Sequence, residues 1–341
     1  MNWLYVLLKL ALFVQAYSFR FQSIFSLDTY TGGVRDIVEF AICSAKECCY
    51  DNYIPANFDG LEKTLNKKVY GQHLVHIAVD ALRPHWNKDF RAKKALTLSF
   101  HGWPGGGKNY VSKFIAENLF ANGIKSRFVH NFIGRLHFPR DDHIEQYKHD
   151  LYNWIKGNTS NCPKQLFIFD EVDKMPAQLL NAIKPIIDYK DFVEGVDYRQ
   201  TIFIFLSNTG QSLINELYIN FWENGKKRED LKLKDFENLI MKGAFNEQGG
   251  FHQSDTIKSN LIDHYIPFLP MEKSHVMLCI KDEFIQRGIY EPQQDHINEI
   301  MESMDWGPKD LNLFSKTGCK RVSQKVSVTV ARFYRSKKTE L

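Results

Sequence analysis

The sequence predicts an α/β fold: a parallel sheet flanked by helices, followed by a small α-helical domain. Three observations predict it. Segments 95–100, 165–169 and 201–206 are near-continuous apolar runs, as expected of parallel strands buried on both faces. Stretches with helical spacing stand between them. After residue 265 the pattern is helical only, between Pro and Gly breaks. At 341 residues and 44% hydrophobic content, the chain is long enough to bury a substantial core.

Residues 3–14 form an apolar run too short to span a bilayer, followed by the small-residue cleavage pattern Val14-Gln15-Ala16. Residues 1–16 therefore read as a secretory signal peptide. Lys9 lies inside the run, so an uncleaved anchor at a membrane interface stays open. Segment 17–56 carries Cys43, Cys48 and Cys49, with a short amphipathic helix over 34–43 that packs on the protein or touches a membrane surface. Six cysteines fit an oxidising compartment, and all of their fifteen or so full pairings are open. The tail Lys338-Thr339-Glu340-Leu341 differs at one position from the Lys-Asp-Glu-Leu retrieval signal, and Asn158-Thr159-Ser160 is a glycosylation sequon. Together these features favour the endoplasmic reticulum lumen. A net charge of +4 with no basic stripe argues against a nucleic-acid partner.

The large domain is expected over 57–265. Helices over 61–67 and 73–83 precede the strand at 95–100. Gly102-Trp103-Pro104-Gly105-Gly106-Gly107-Lys108-Asn109 then leads into a helix over 110–120. A strand, a glycine turn and a helix start make a phosphate cradle: glycines let backbone N–H groups face a polyphosphate, and Lys108 reaches its terminal groups. Asn109 stands where a Ser or Thr hydroxyl normally ligates magnesium. An amide oxygen there is a less ideal ligand.

A strand at 127–132 and a helix at 142–157 follow, the helix carrying Ile144, Tyr147, Leu151 and Trp154 on a face expected to meet the core. The strand at 165–169 ends in Asp170-Glu171, at the edge where parallel sheets hold ligands. Asp170 is placed to hold magnesium and Glu171 to polarise a water. A helix over 178–188, kinked by Pro185, and a loop over 191–197 lead to the strand at 201–206. That strand ends at Asn208, a polar probe between water and a γ-phosphate. Helices over 212–222 and 233–243 close the large domain. The small domain, 266–341, is expected to hold helices over 271–286, 292–304 and 320–334.

Taken together, the glycine turn 102–109, the run ending in Asp170-Glu171, Asn208, Val69-Tyr70-Gly71-Gln72 and Gly318-Cys319-Lys320 resemble an AAA+ ATPase of the Clp-like branch, and most closely the torsins. The resemblance implies a P-loop AAA+ sheet with a helical lid, binding ATP and Mg2+. It implies that residues 102 to 109 hold the phosphates, with Tyr70 and Gly71 near the adenine. Asp170 and Asn109 would face the metal, and Glu171 would activate water. Asn208 would be the first sensor and Lys320 the second. In torsins a cysteine at the place of Cys319 pairs with one at the place of Cys279, so oxidation there would act on the nucleotide pocket.

No arginine lies between Arg228 and Arg287, where Clp-type relatives place an arginine finger. That group is worth about 10³ to 10⁵ in rate, so the isolated chain is expected to be a very slow ATPase. Torsins similarly rely on lumenal domains of membrane proteins that supply the arginine. Phe132-Ile133-Gly134-Arg135 does not match an aromatic-glycine pore loop. The expected role is remodelling of membrane-associated complexes at the endoplasmic reticulum and nuclear envelope, as a homo- or hetero-oligomer. The alternative is a nucleotide-gated scaffold whose ATP state assembles partners or filaments without needing hydrolysis.

Overall fold

The computed structural model describes residue 43 and residues 46–87 and 91–334. The expected signal peptide, the helix over 34–43 and the terminal tetrapeptide lie outside these, Cys43 excepted. The chain divides after Cys48. On the first side, Cys43 is bonded to Cys48. From Cys49 onward the residues form one body, in which Cys49 is bonded to Cys162 across 113 residues of sequence. Closing so long a loop stabilises by about 4–5 kcal/mol on the chain-entropy account.

The second body is built on five parallel strands in the order β2-β3-β4-β1-β5: β1 Leu96–Gly102, β2 Val129–Ile133, β3 Leu166–Asp170, β4 Ile202–Ser207 and β5 His264–Phe268. Alternating side chains feed two cores. Leu166, Ile168, Ile202, Ile204, Leu98 and Phe100 pack under α1 (Phe58–Lys68), α2 (His76–His85) and α3 (Lys108–Leu119). Phe167, Phe169, Phe203 and Phe205 face the other way, against α4 (Ile144–Asn161), α5 (Gln211–Glu223) and α6 (Leu233–Asn246). The rings stack from strand to strand, with centroids 5.3 Å apart for Phe167 and Phe203 and for Phe169 and Phe205. Each buried phenylalanine adds roughly 2–3 kcal/mol over an exposed one.

A third core joins α7 (Lys273–Gln286), α8 (Gln294–Glu302) and α9 (Val322–Phe333) through Val276, Ile280, Phe284, Ile297, Val326 and Val330.

Three expectations change. Chain beyond residue 265 is not purely helical: β5 runs to Phe268, past the expected boundary, and β6 (Trp306–Gly307) pairs with β7 (Phe314–Ser315). Pro267 disguises β5, but an edge strand tolerates the missing N–H. Pro185 does not kink one helix over 178–188. A 3-10 turn, Leu179–Ile183, leads into one helical turn, Lys184–Ile187, with Pro185 at its start, where proline is better tolerated than in a helix interior. Trp154 is 54% exposed, since Leu151, Ile155 and Thr159, at i, i+4 and i+8, form the buried stripe of α4. Its indole N–H donates to His130 Nδ1 at 3.2 Å. The segment 191–197 is a loop, as expected, and closes on itself through a Val193–Val196 bridge.

Candidate functional site

The C-terminal ends of β1, β3 and β4 open onto one cavity of about 1070 Å³, roofed by α7 and the start of α9. Each strand delivers a different group. Beyond β1 the chain turns through Pro104 to Gly107 and enters α3 at Lys108. The lysine is buried, and its ammonium donates to the carbonyls of Gly102 (2.7 Å) and Trp103 (3.3 Å) and to Asn208 Oδ1 (3.0 Å). Burial without a carboxylate in contact pushes its pKa down to about 8, against the pull of Asp173 and Asp170.

At the end of β3, burial raises the Asp170 carboxyl, although it accepts from the Glu171 N–H at 2.8 Å and from the Asn109 amide. Glu171 takes a left-handed conformation, φ 55°, which turns the chain sharply into the 3-10 turn Val172–Lys174. At the end of β4 stands Asn208, whose amide nitrogen faces the Asp173 carboxylate at 3.3 and 3.4 Å.

The helical layer supplies the roof. Cys279 of α7 is bonded to Cys319, which precedes Lys320, and all three line the cavity. Here two glycines are required by close approach. A Cβ on Gly105 would lie 2.0 Å from the Thr317 carbonyl, and one on Gly318 would lie 2.3 Å from the Gly105 carbonyl. The Cys319 N–H donates to Gly105 O at 3.2 Å, and the Trp103 indole donates to Lys316 O. The glycine turn and the Gly318 loop are thus in main-chain contact.

Of the residues singled out in the sequence, Tyr70, Pro104, Gly105, Gly106, Gly107, Lys108, Asn109, Asp170, Glu171, Asn208, Cys279, Cys319 and Lys320 line this cavity. Gly102, Trp103 and Gly71 stand behind it: the Gly102 carbonyl receives Lys108, and the Gly71 carbonyl receives Arg228 Nε at 2.8 Å. Asn158 lies elsewhere, in the last turn of α4, with its amide on the Trp154 carbonyl at 2.8 Å. Tyr70 donates to Asp282 of α7 at 2.7 Å, and burial together with this carboxylate raises its hydroxyl pKa.

Gln72 enters the sequence reading only as part of the 69–72 motif, without a contact of its own, and Asp173 escapes it. Gln72 bonds the carbonyls of Gly106 (3.1 Å) and Leu269 (2.8 Å) and the Leu269 N–H (2.8 Å), joining the glycine turn to the end of β5. Asp173 sits under Asn208, and its only sequence signal was a third acid two positions after Glu171.

A family model for torsins matches residues 43–169, and one for the torsin-1A C-terminal domain matches residues 271–328. A torsin-like protein of Drosophila melanogaster is 40% identical over 298 residues, 86% of this chain and 87% of that protein. The chain belongs to the torsin family. A torsin-like protein of Caenorhabditis elegans is 38% identical over 293 residues, 85% of this torsin and 82% of that protein. Among solved structures, the S. cerevisiae Hsp104-ADP complex aligns with a TM-score of 0.51 at 16% identity, over 81% of this chain and 46% of that one. A closed-state Hsp104 with ATPγS and FITC casein aligns at 0.55 and 16% identity, over 81% and 47%. This torsin spans about half the length of those chains, and the likeness establishes its AAA+ fold.

Proposed function

We propose that this torsin binds ATP with Mg2+ in the cavity and hydrolyses it slowly until a partner supplies an arginine. The observation that carries the reading is the convergence of Lys108, Asp170, Glu171 and Asn208 on one cavity from three strand ends. Lys108 exchanges its carbonyl contacts for phosphate oxygens. Asp170 and the Asn109 amide oxygen suit a hard cation. Among the described residues no three His, Cys, Asp or Glu side chains cluster as a metal cage, which fits an ion sharing its shell with phosphate and water. Bound there, Mg2+ would neutralise developing charge on the phosphates. Glu171 polarises the attacking water, and Lys320 reports the nucleotide to the helical roof.

The need for a partner rests on Arg228. It is buried, with its guanidinium on Glu272 (2.8 Å), Pro270 O (2.6 Å) and Gly71 O (2.8 Å), so it is committed inside its own subunit. No arginine lines the cavity among the described residues. We place the site in the endoplasmic reticulum and nuclear envelope, completed by lumenal domains of membrane proteins and remodelling membrane-associated complexes in an oligomer. In this reading residues 57–265 are the nucleotide-binding domain, 266–341 the lid, and Asn158 carries a glycan. The Cys279–Cys319 bond ties α7 to the Lys320 loop, and its reduction should shift ATP affinity. Equal ATP affinity of the wild type with and without reductant would remove that redox role.

ATP turnover of the purified protein, alone and with candidate lumenal domains, tests the main proposal. Stimulation that disappears when the partner's arginine is replaced supports it. Equal turnover without partner would sink the split site. A second reading, a nucleotide-gated scaffold, is favoured by the Asn109–Asp170 hydrogen bond, in which the Asn109 NH2 occupies one oxygen of the metal-facing carboxylate. Glu171→Gln separates the two: hydrolysis predicts a trapped ATP- and partner-bound state without function, whereas a scaffold keeps its function.

A further inference from the structure

We infer that Asp173 is a positioning residue that fixes which end of the Asn208 amide faces the reacting groups: the oxygen. The inference rests on the ATP-hydrolysing reading of the cavity and deepens it.

The oxygen and nitrogen of an asparagine amide are distinguished by their partners. An ammonium only donates, so the atom 3.0 Å from Lys108 Nζ is the oxygen. A carboxylate only accepts, so the atom 3.3 and 3.4 Å from Asp173 is the NH2. A half-turn of the amide would set N–H groups against an ammonium and an oxygen against a carboxylate. Both contacts would become repulsive. The Asn208 backbone N–H also donates to Asp173 Oδ1, at 3.1 Å, so one carboxylate holds main chain and side chain together.

Asp173 is itself fixed. Its side chain is 8% exposed and paired with Lys174 at 3.0 Å. Burial works against its charge, yet the donors from Asn208 and Lys174 hold the carboxyl below its ordinary range. Its backbone rests on Gly249, where a Cβ would come within 2.7 Å of Asp173 Cα, and Gly250 N–H donates to Val172 O at 2.9 Å.

The consequence concerns what Asn208 can do when ATP arrives. A phosphate that draws the Lys108 ammonium away removes the cation from the amide oxygen and leaves the NH2 on Asp173. Asn208 then offers a free acceptor, while one of its two amide N–H groups stays on Asp173. Its oxygen takes an O–H of the attacking water, beside Glu171. Asp173 reaches the chemistry only through this amide.

The test uses full-length protein with its activating partner. Asp173→Asn keeps the shape but lets the amide turn. Expected are a kcat lowered about tenfold to a hundredfold, as for loss of one preorganised polar contact, an ATP Kd within about threefold of wild type, and a double variant, Asp173→Asn with Asn208→Ala, no slower than Asn208→Ala alone. Unchanged kcat, or losses that multiply in the double variant, would overturn the inference. Independently of hydrolysis, protein labelled with 15N-asparagine and free of nucleotide gives the Asn208 side-chain NH2 signal, assigned by its loss in Asn208→Ala. Its hydrogen exchange should be at least about tenfold slower than that of the exposed Asn298 amide, as a hydrogen-bonded group. Exchange as fast as Asn298 overturns the inference even if Asp173→Asn does not fold. Wild-type protein that binds no ATP would refute the functional reading, while this exchange still decides the role of Asp173.

Discussion

Lys108 and Asp173 stand on opposite sides of Asn208, both nearly buried, yet their partners differ in kind. The lysine touches neutral acceptors, two main-chain carbonyls and an amide oxygen, and its pKa falls to about 8. The aspartate receives N–H donors and an ammonium, and its pKa falls below the carboxylate range, which for an acid means that its charged form is favoured. Burial leaves the ammonium under-compensated and the carboxylate well served. The Lys108 side of the cavity is therefore ready to exchange partners, whereas the side beneath the amide gains nothing by moving.

The largest expected effect breaks both sides together. His101, at the end of β1, is fully buried, with Ser99 Oγ at 2.7 Å from Nε2 and the Thr209 carbonyl at 3.1 Å from Nδ1. Because a carbonyl only accepts, Nδ1 carries the proton and Nε2 accepts from Ser99. Burial pushes the pKa of His101 down to about 4, and likewise that of His85 at the other end of the sheet. Both are depressed below their unfolded values, so the unfolded chain binds protons first as pH falls. Stability is complete above about pH 6.5 and is lost between there and pH 4. From pH 7 to pH 5 denaturant titration should show a loss on the order of 2 kcal/mol per histidine, and His101→Gln should flatten part of that slope.

Next, Lys108→Ala should weaken ATP binding about a hundredfold, from lost charge-assisted contacts, while the melting temperature holds or rises because a poorly compensated buried charge has gone. Calorimetric titration and a thermal melt check both halves of that statement. A fall in melting temperature would mean that the lysine is as settled as Asp173. Gly249→Ala attacks the fixed side: its φ of +135° and the 2.7 Å approach to Asp173 Cα should make the change destabilising by about 2 kcal/mol and displace the acidic turn. Turnover should fall more than ATP affinity. Smallest is Trp154→Ala, at an exposed position remote from the cavity, where chemical denaturation should register within about 0.5 kcal/mol. A larger loss would restore the core-facing stripe expected from sequence.

The strands that carry the site were legible because buried parallel strands need unbroken apolar runs, and β1, β3 and β4 have them. The edge strand β5 was not, since Pro267 is a breaker everywhere except where an N–H has no neighbour. Trp154 was misplaced because three apolar residues define a helix face only loosely, and Ile155 competed for the same core position. Lys108, Asp170 and Glu171 announced themselves through local spacing, as did the cysteines Cys279 and Cys319 through the torsin resemblance. Their pairing across 40 residues was implied by that resemblance and appears in the structure as a bond between α7 and the Lys320 loop.

Local sequence determined the elements of this torsin and the chemical types at its strand ends, because glycine turns, apolar runs and terminal acids act over a few residues. Tertiary structure alone decided that Gln72 joins the glycine turn to β5, that Arg228 is spent on Glu272 and Gly71, and that Asp173 meets Asn208. Those contacts join residues 34 to 197 positions apart. No local pattern encodes them, since their geometry exists only after the sheet has brought the strand ends side by side.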